Sequence, residues 1–237
     1  MVIDVLRASS TVTTALAQGA DSIRPVRTAE EARLLAQADP EAILGGERKG
    51  VKIAGFHLGN SPAEYTPEVV GGKRIIFTTT NGTQAIVRAR ESGLEPILIG
   101  SFLNASAVVG RLEELGPEEI YLFCSGRAGA FSLEDAAFAG FICQRLAAGA
   151  ELLDSAKAAL AIWESWQGKI LALLTACQHG SYLSQIGLGS DLQLCAEVDK
   201  YEIVPALRGD YLVGADKSWC KVIVGGYYRI RKRYHKQ

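Results

Sequence analysis

Short apolar runs rich in branched residues alternate with amphipathic stretches along this chain as far as Ala147. The runs have the length and composition of β-strands, whereas the stretches repeat their apolar residues with the period of an α-helix. The predicted strands are Val2–Leu6, Ser22–Val26, Ala42–Leu44, Arg74–Thr78, Pro96–Ile99 and Ile120–Cys124. The predicted helices are Ser10–Gln18, Ala29–Ala38, Thr83–Ser92, Ala105–Leu115 and Leu133–Ala147.

Strands that alternate with helices in this way need crossover connections, which bring parallel strands together under helices on both faces. We therefore predict an α/β fold with three layers, α/β/α, and a mostly parallel or mixed sheet. A helical C-terminal portion follows, whose predicted helices and late strand are Leu152–Trp166, Lys169–Cys177, Ser181–Ile186 and Tyr201–Leu207. Trp163 and Trp166 favour core packing there, although a subunit interface in a homodimer stays open. The predicted division is one domain, 1–208, and a divergent basic tail, 209–237.

The composition is that of a folded globular protein, with 48% apolar and 22% charged residues. The sequence contains no uncharged apolar window of about 18 residues, and its start lacks the layout of a signal peptide. The cysteines are odd in number and form no C-x-x-C pair, which favours reduced thiols. They are Cys124, Cys143, Cys177, Cys195 and Cys220. We therefore expect a cytoplasmic protein that does not bind a membrane.

Five cations crowd the last nine residues, namely Arg229, Arg231, Lys232, Arg233 and Lys236. The formal net charge of −1 becomes −6 when these five are set aside. An acidic body argues against a nucleic-acid-binding surface spread over the fold. A solvated terminus is the favoured interpretation of the tail, while contact with RNA or an anionic lipid surface stays open.

Polar residues that follow a strand are the candidates for function, because ligands of such sheets bind beyond the carboxyl ends of the strands. The first group is Asp4–Thr11. Asp4 can ligate a hard cation and Arg7 can bind phosphate, while Ser9 or Ser10 can cap the following helix. The alternative is that the serines only cap and that Asp4 is an ordinary strand-end residue.

The second group is Gly45–Lys52, in which a carboxylate is flanked by cations between glycines. The glycines have P-loop spacing, but the Lys-Ser/Thr pair of that motif is absent. We predict a flexible loop in which Glu47 is a metal ligand or a base and Arg48 and Lys52 bind anions. The alternative is a solvated charged turn.

The third group, Thr78–Thr83, lies between a predicted strand and a predicted helix. Hydroxyl groups and free backbone amides at a helix N-terminus form a cradle for an anion. An Asn-Gly hairpin at Asn81 and Gly82 is the rival interpretation. We reject it because the residues after Thr83 have a helical period.

The fourth group contains Ser125 and Arg127, which follow the strand that ends at Cys124. The next helix opens with Ser132 as a candidate N-cap and with Asp135 three residues later, as in a capping box. Capping does not explain the neighbouring Glu134, so we expect one of the two carboxylates to face a metal.

Several familiar mechanisms are excluded by the sequence. The chain has neither an H-E-x-x-H zinc motif nor a complete G-x-S-x-G elbow. Ala130 stands where a cysteine phosphatase with Cys124 as nucleophile would need arginine, and Leu6 stands where a D-x-D phosphatase would need an acid.

Taken together, these groups resemble the 2-phosphosulfolactate phosphatase family. The matching segments, in the family's order, are Asp4–Ser10, Gly46–Arg48 with Lys52, Leu58–Pro62, Thr79–Thr83 and Ser132–Asp135. Each segment is weak by itself, but five in the same order with similar spacing are specific. The resemblance implies a Mg²⁺-dependent acid phosphatase that converts 2-phospho-3-sulfolactate to 3-sulfolactate, a step towards coenzyme M.

A phosphate, a carboxylate and a sulfonate on three carbons need several cations, and Mg²⁺ prefers oxygen ligands, so residues of these groups receive candidate roles. The candidate catalytic residues are Asp4, Arg7, Glu47 and Asn81, and the candidate Mg²⁺ ligands are Asp4, Glu47 and Asp135. The candidate substrate-binding residues are Ser9, Arg48, Lys52, Thr79, Thr80, Gly82, Thr83, Ser125 and Arg127. Whether Asp4 attacks phosphorus or positions a metal-bound water stays open. The alternative function is that of a non-catalytic protein that binds a phosphorylated ligand.

Overall fold

The computed structural model describes residues 1–148 and 150–214 and the backbone of 229–232. The strands are β1 (Val2–Ile3), β2 (Ser22–Pro25), β3 (Ile43–Arg48), β4 (Val51–Lys52), β5 (Arg74–Thr78), β6 (Ile99–Gly100), β7 (Glu119–Tyr121), β8 (Phe123–Cys124), β9 (Ala150–Leu152), β10 (Pro205–Arg208), β11 (Tyr211–Gly214) and β12 (Arg229–Lys232). The α-helices are α1 (Ala8–Ala17), α2 (Ala29–Ala38), α3 (Pro67–Val70), α4 (Gly82–Glu91), α5 (Ala105–Leu115), α6 (Leu133–Leu146), α7 (Asp154–Trp166), α8 (Ile170–Ala176), α9 (Gln178–Gln185) and α10 (Ser190–Cys195).

The strands form a mixed sheet system, which confirms the predicted α/β class. In one sheet β1 lies between β6 and β8 and is parallel to both. In the other sheet, β2, β5 and β3 are parallel neighbours in that order. Beyond β2 the sheet continues with β11 and then β10, each antiparallel to its neighbour. Beyond β3 it ends with β4, which is antiparallel to β3. An antiparallel bridge between Leu98 and Ala206 joins the two sheets. A third sheet of antiparallel strands has the order β7-β12-β9.

The helical period and the capping residues place several elements where the sequence predicts them. Helices α2 and α5 and strand β5 have the predicted bounds. Helix α2 begins after Thr28, whose side-chain hydroxyl accepts a hydrogen bond from the Glu31 amide, as an N-cap does. Helix α4 begins at Gly82, so rejecting the Asn-Gly hairpin was correct.

Two segments differ from the prediction near the candidate site. Strand β1 ends at Ile3 instead of Leu6, because Asp4 turns the chain into α1: its amide donates to Ser9 Oγ and its carboxylate accepts from the Ala8 amide. The loop around Glu47 was predicted to be flexible, and that was wrong. Strand β3 runs on to Arg48 and pairs back with β4, so a tight hairpin holds this segment.

The helical portion packs on the sheet through an aromatic cluster. Trp163 on α7 is buried, packs edge-to-face against Phe141 and at a tilt against Phe102, and donates from Nε1 to Gln144 Oε1 at 2.8 Å. Trp166 is partly buried against the same core. Core packing therefore explains both tryptophans.

The end of the chain is described only in part. Strand β11 pairs with β10 and with β2, so the sheet continues past Arg208. The side chains of 229–232 lie outside the described residues, as do Trp219, Cys220, Arg233 and Lys236, so the predicted properties of the basic tail stay predictions. Cys124, Cys143, Cys177 and Cys195 are free thiols. Within the described ranges, no helix combines the length and the apolar character needed to cross a bilayer.

The close packing of α6 on α7 predicts opposite effects for two helical Gly→Ala substitutions. A Cβ at Gly140 would lie 2.0 Å from the Ala159 carbonyl oxygen and 2.7 Å from Trp163 Cβ, whereas a Cβ at Gly110 on α5 meets no atom within 4 Å. We expect Gly140→Ala to lower the free energy of unfolding by about 1–3 kcal/mol. Gly110→Ala should raise it by about 1 kcal/mol, since alanine favours helix. Urea denaturation measures both free energies of unfolding. A Gly140→Ala variant with the free energy of unfolding of the wild type would contradict the close packing of α6 on α7.

Candidate active site

A polar cavity of about 300 Å³ opens where the carboxyl ends of β1, β3 and β5 face helix α9. Its lining residues are Asp4, Leu6, Arg7, Glu47, Lys49, Gly50, Asn60, Thr80, Asn81, Arg127, Ala128, His179 and Tyr182. The strand-end loops therefore meet at one place, as the sheet architecture predicts. Of the predicted site residues, six line this cavity: Asp4, Arg7, Glu47, Thr80, Asn81 and Arg127.

Asp4 is a buried carboxylate at the end of β1. Its Oδ1 accepts from the Ala8 amide at 3.1 Å, and its own amide donates to Ser9 Oγ at 2.9 Å, so Ser9 shapes the turn and does not line the cavity. Burial raises the pKa of Asp4 to about 6, and the charges of Glu47 and Glu134 act in the same direction, while His179 and the Ala8 amide oppose the rise.

Gly82 permits the close approach of α4 to Asp4. A Cβ at this position would lie 2.5 Å from Asp4 Oδ2 and 2.4 Å from Ala8 Cβ. Any side chain here would displace the carboxylate or the start of α1. Gly82 thus serves the site through the absence of a side chain and not through a contact of its own.

Glu47 is held rigidly by its hairpin and by the loop after β5. Its Oε1 accepts from the Thr80 amide at 2.7 Å, and its Oε2 accepts from the Gly50 amide at 2.6 Å and from Thr80 Oγ1 at 3.1 Å. Gly46, with φ of +144°, lets β3 pass Thr78, whose carbonyl oxygen would lie 2.0 Å from a Cβ.

Of the cations near Glu47 in the sequence, some stabilise the hairpin or lie in solvent, and one lines the cavity. Arg48 donates to the carbonyl oxygens of Glu47 and Arg27 and to Thr78 Oγ1, so its guanidinium braces the hairpin. Lys52 is exposed, with Nζ 3.4 Å from the carbonyl oxygen of His57. Neither lines the cavity; Lys49, at the tip of the hairpin, does.

Arg7 is a buried cation whose guanidinium has two fixed partners. Its Nη1 donates to Asp191 Oδ2 at 2.6 Å, and its Nη2 donates to the Gly50 carbonyl oxygen at 2.8 Å. Asp191, on α10, also accepts from Ser61 Oγ at 2.6 Å, and the side chains of Arg7 and Asp191 are each only 2% exposed. This ion pair fixes the position of Arg7 at the cavity wall.

The threonine loop after β5 is shaped by a reciprocal pair of hydrogen bonds. Thr79 Oγ1 accepts from the Thr83 amide at 3.1 Å, and Thr83 Oγ1 accepts from the Thr79 amide at 2.9 Å. Both threonines are buried and do not line the cavity. Thr80 and Asn81 do, and Asn81 Oδ1 accepts from the Ala128 amide at 3.0 Å, which ties this loop to the loop after β8.

The loop after β8 contributes a cation to the cavity. The residues that follow it at the start of α6 instead form hydrogen bonds with backbone amides. Arg127 lies over the Tyr182 ring, with its guanidinium carbon 4.7 Å from the ring centroid. Asp135 Oδ1 accepts from the Val5 amide and Oδ2 from the Gly126 amide, while Ser132 caps α6. Burial, with the charges of nearby carboxylates, raises the pKa of Asp135 well above its usual range. Neither Asp135 nor Ser125 lines the cavity.

Several lining residues escaped sequence reasoning. His179 and Tyr182 come from α9, and Tyr182 donates its hydroxyl to the Lys49 carbonyl oxygen at 2.9 Å. Asn60 lies in one of the segments that carry the family resemblance, and its buried Oδ1 has no hydrogen-bond partner among the residues that the structure describes. That segment was the signal that could have identified Asn60. His179 and Tyr182 could not be predicted in this way, because a search for polar residues at strand ends does not find residues supplied by the helical C-terminal portion.

The fold and this cavity define an α/β protein with a strand-end pocket for a small anionic ligand. A family model described as 2-phosphosulpholactate phosphatase matches residues 1–210. A probable 2-phosphosulfolactate phosphatase of Symbiobacterium thermophilum is 42% identical over 218 residues, which cover 90% of this chain and 92% of the relative. The protein of that name from Thermotoga maritima is 44% identical over 207 residues, covering 87% and 88%.

The chain therefore belongs to the 2-phosphosulfolactate phosphatase family. It is accordingly an enzyme of the phosphoric monoester hydrolase class. This finding disfavours the alternative of a non-catalytic binding protein.

Two buried aspartates of the site predict opposite effects of the same substitution. Because burial raises the pKa of Asp4 from 3.8 to about 6, the folded state holds this proton more tightly than the unfolded state. The free energy of unfolding then falls as pH rises from about 4 to 6. Asp4→Asn removes the buried charge and should raise the free energy of unfolding at pH 7.5 by up to about 3 kcal/mol.

Asp191→Asn is the matched change and should have the opposite sign. It leaves the buried Arg7 cation without its ion-pair partner and should lower the free energy of unfolding by about 3 kcal/mol or more. Urea denaturation with a chelator present measures both variants. Effects of the same sign would contradict the electrostatic description of the site, and the gain from Asp4→Asn should vanish below about pH 4.

Proposed function

We propose that this cavity hydrolyses 2-phospho-3-sulfolactate to 3-sulfolactate and phosphate with the help of Mg²⁺, in the cytoplasm. The substrate is the one that the names of the family and of the relatives indicate. The observation that carries the proposal is the convergence of two buried carboxylates with three cations in one polar cavity. The free thiols of the described cysteines support a reducing compartment.

The charge balance of the cavity supports a divalent cation. Three lining cations, Arg7, Lys49 and Arg127, face two lining carboxylates, Asp4 and Glu47. Asp191 already neutralises Arg7 in part. A substrate with a phosphate, a carboxylate and a sulfonate carries more negative charge than this surplus can balance. Further positive charge at the carboxylates would remove the deficit.

The residues present fit Mg²⁺, which takes one or two carboxylates and completes its shell with phosphate oxygens and water. The part of the chain that the structure describes holds no group of three or more His, Cys, Asp or Glu arranged for a metal. Two carboxylates are enough for Mg²⁺, and Asp4 and Glu47 would hold it. Asn60 Oδ1, which lacks a hydrogen-bond partner in the described part of the chain, would offer a third oxygen at the cavity wall. When bound, the ion supplies neutralisation of charge on the phosphoryl oxygens.

The protein's own groups bind and orient the substrate. Arg7 presents a preorganised guanidinium to the phosphoryl group, because Asp191 and Gly50 already fix it. The N-terminus of α4, where Asn81 lines the cavity, adds the partial positive charge of the helix. Lys49 and Arg127 line the same cavity and would bind the carboxylate and the sulfonate.

Asp4 acts at phosphorus in one of two ways, and a quench experiment separates them. As a nucleophile it would form an acyl phosphate, and acid quenching with ³²P-labelled substrate would trap label on the protein. As a positioning group for water it would leave the protein unlabelled. In either role Asp4→Asn should lower turnover by a factor of 10² or more, as estimated for a group that contacts the reacting atoms.

Phosphate release from a panel of esters tests the proposal. We expect release from 2-phospho-3-sulfolactate with Mg²⁺, a rate at least about 100-fold lower with EDTA, and restoration by added Mg²⁺. The control ester, 2-phospholactate, lacks the sulfonate and should have a higher KM. No phosphate release from either ester would refute the proposed function. An EDTA-insensitive rate would refute only the part that concerns the metal.

A further inference from the structure

A histidine and a buried carboxylate form a pair at the wall of the cavity. His179, on α9, lines the cavity, and its Nδ1 lies 3.6 Å from Glu134 Oε1 on α6. The Glu134 side chain is 3% exposed and that of His179 is 17% exposed. The histidine therefore stands between a buried carboxylate and the space where a ligand would bind.

The pairing leaves one ring nitrogen of His179 available to a ligand. A carboxylate beside Nδ1 fixes the orientation of an imidazole ring. No hydrogen bond is made by Nε2 within the described residues, whereas Nδ1 faces Glu134.

The reaction needs a proton donor that the other lining residues do not supply well. The ester oxygen leaves as the alkoxide of a secondary alcohol, which is a poor leaving group unless it is protonated. In the function proposed above, Arg7, Lys49 and Arg127 bind the anionic groups of the substrate, and Asp4 and Glu47 hold the cation. Histidine is the side chain most often used for such a transfer.

Resting on the function proposed above, we infer that His179 is a catalytic residue that protonates the leaving oxygen and that Glu134 is its positioning residue. As the bond between phosphorus and the bridging oxygen breaks, that bond's electron pair stays on the oxygen, which takes the proton from His179 Nε2. The phosphoryl group passes to water, directly or after transfer to Asp4. The water loses a proton, which reprotonates the imidazole, so the products are the alcohol and inorganic phosphate.

The dependence of rate on the leaving group tests this inference. The variants His179→Gln and Glu134→Gln are compared with the wild type on 2-phosphosulfolactate and on p-nitrophenyl phosphate, whose aryl oxide needs no proton. We expect His179→Gln to lower kcat/KM for the alkyl ester by about 10²–10⁴ and for the aryl ester by less than about 10-fold. Glu134→Gln should also lower kcat/KM more for the alkyl ester than for the aryl ester, but by a smaller factor.

Tyr182→Phe is the matched control, because Tyr182 lines the same cavity from the same helix. Any decrease in kcat/KM caused by Tyr182→Phe should be similar for both esters. An equal loss for both esters in His179→Gln would overturn the inference and assign His179 a structural role. A second measurement uses the alkyl ester alone: the kinetic isotope effect of ¹⁸O in the bridging position should increase in His179→Gln, and an unchanged effect would also overturn the inference. An inactive wild type would instead refute the proposed function.

Discussion

The burial of the Asp4 carboxylate is the constraint on which the rest of the site depends. A carboxylate in this position loses much of its hydration, and burial raises its pKa to about 6. Only the Ala8 amide donates a hydrogen bond to the carboxylate within the described residues. Glu47 and Glu134 make its charge still less favourable. A buried carboxylate of this kind lowers the stability of the fold. Proteins keep such destabilising groups where function needs them, for example to bind a cation or to react with phosphorus.

Backbone contacts hold the other charged groups in place around Asp4. Glu47 is fixed by the amides of Gly50 and Thr80, and Asp135 is held by the amides of Val5 and Gly126. The helical C-terminal portion completes the cavity: Asp191 on α10 pairs with Arg7, and His179 on α9 lies beside Glu134 of α6. A rigid arrangement of this kind suits phosphoryl transfer, in which the protein contributes positioning and electrostatic stabilisation.

The sequence predicts the sheet layers and the strand-end half of the site, because both depend on local signals. The Thr28 cap and the helical period define α2, and the position of Asp4, Glu47 and Asn81 after strands predicts that they meet. The helical half depends on long-range packing. Helix α10 is six residues long and has no side-chain cap, so nothing local indicated that Asp191 would pair with Arg7. Arg48 shows a further limit: neighbours in a strand face opposite sides, so the residue beside Glu47 braces the hairpin from behind.

A crystal structure of the Asp4→Asn variant, grown with Mg²⁺ and 2-phospho-3-sulfolactate, tests the central claim most directly. The account predicts that the intact ester lies in the cavity, with its phosphoryl group within hydrogen-bond distance of Arg7 and Asn81 and its bridging oxygen towards His179. The account is contradicted if the ester binds elsewhere on the chain, or if its phosphoryl group contacts neither Arg7 nor Asn81.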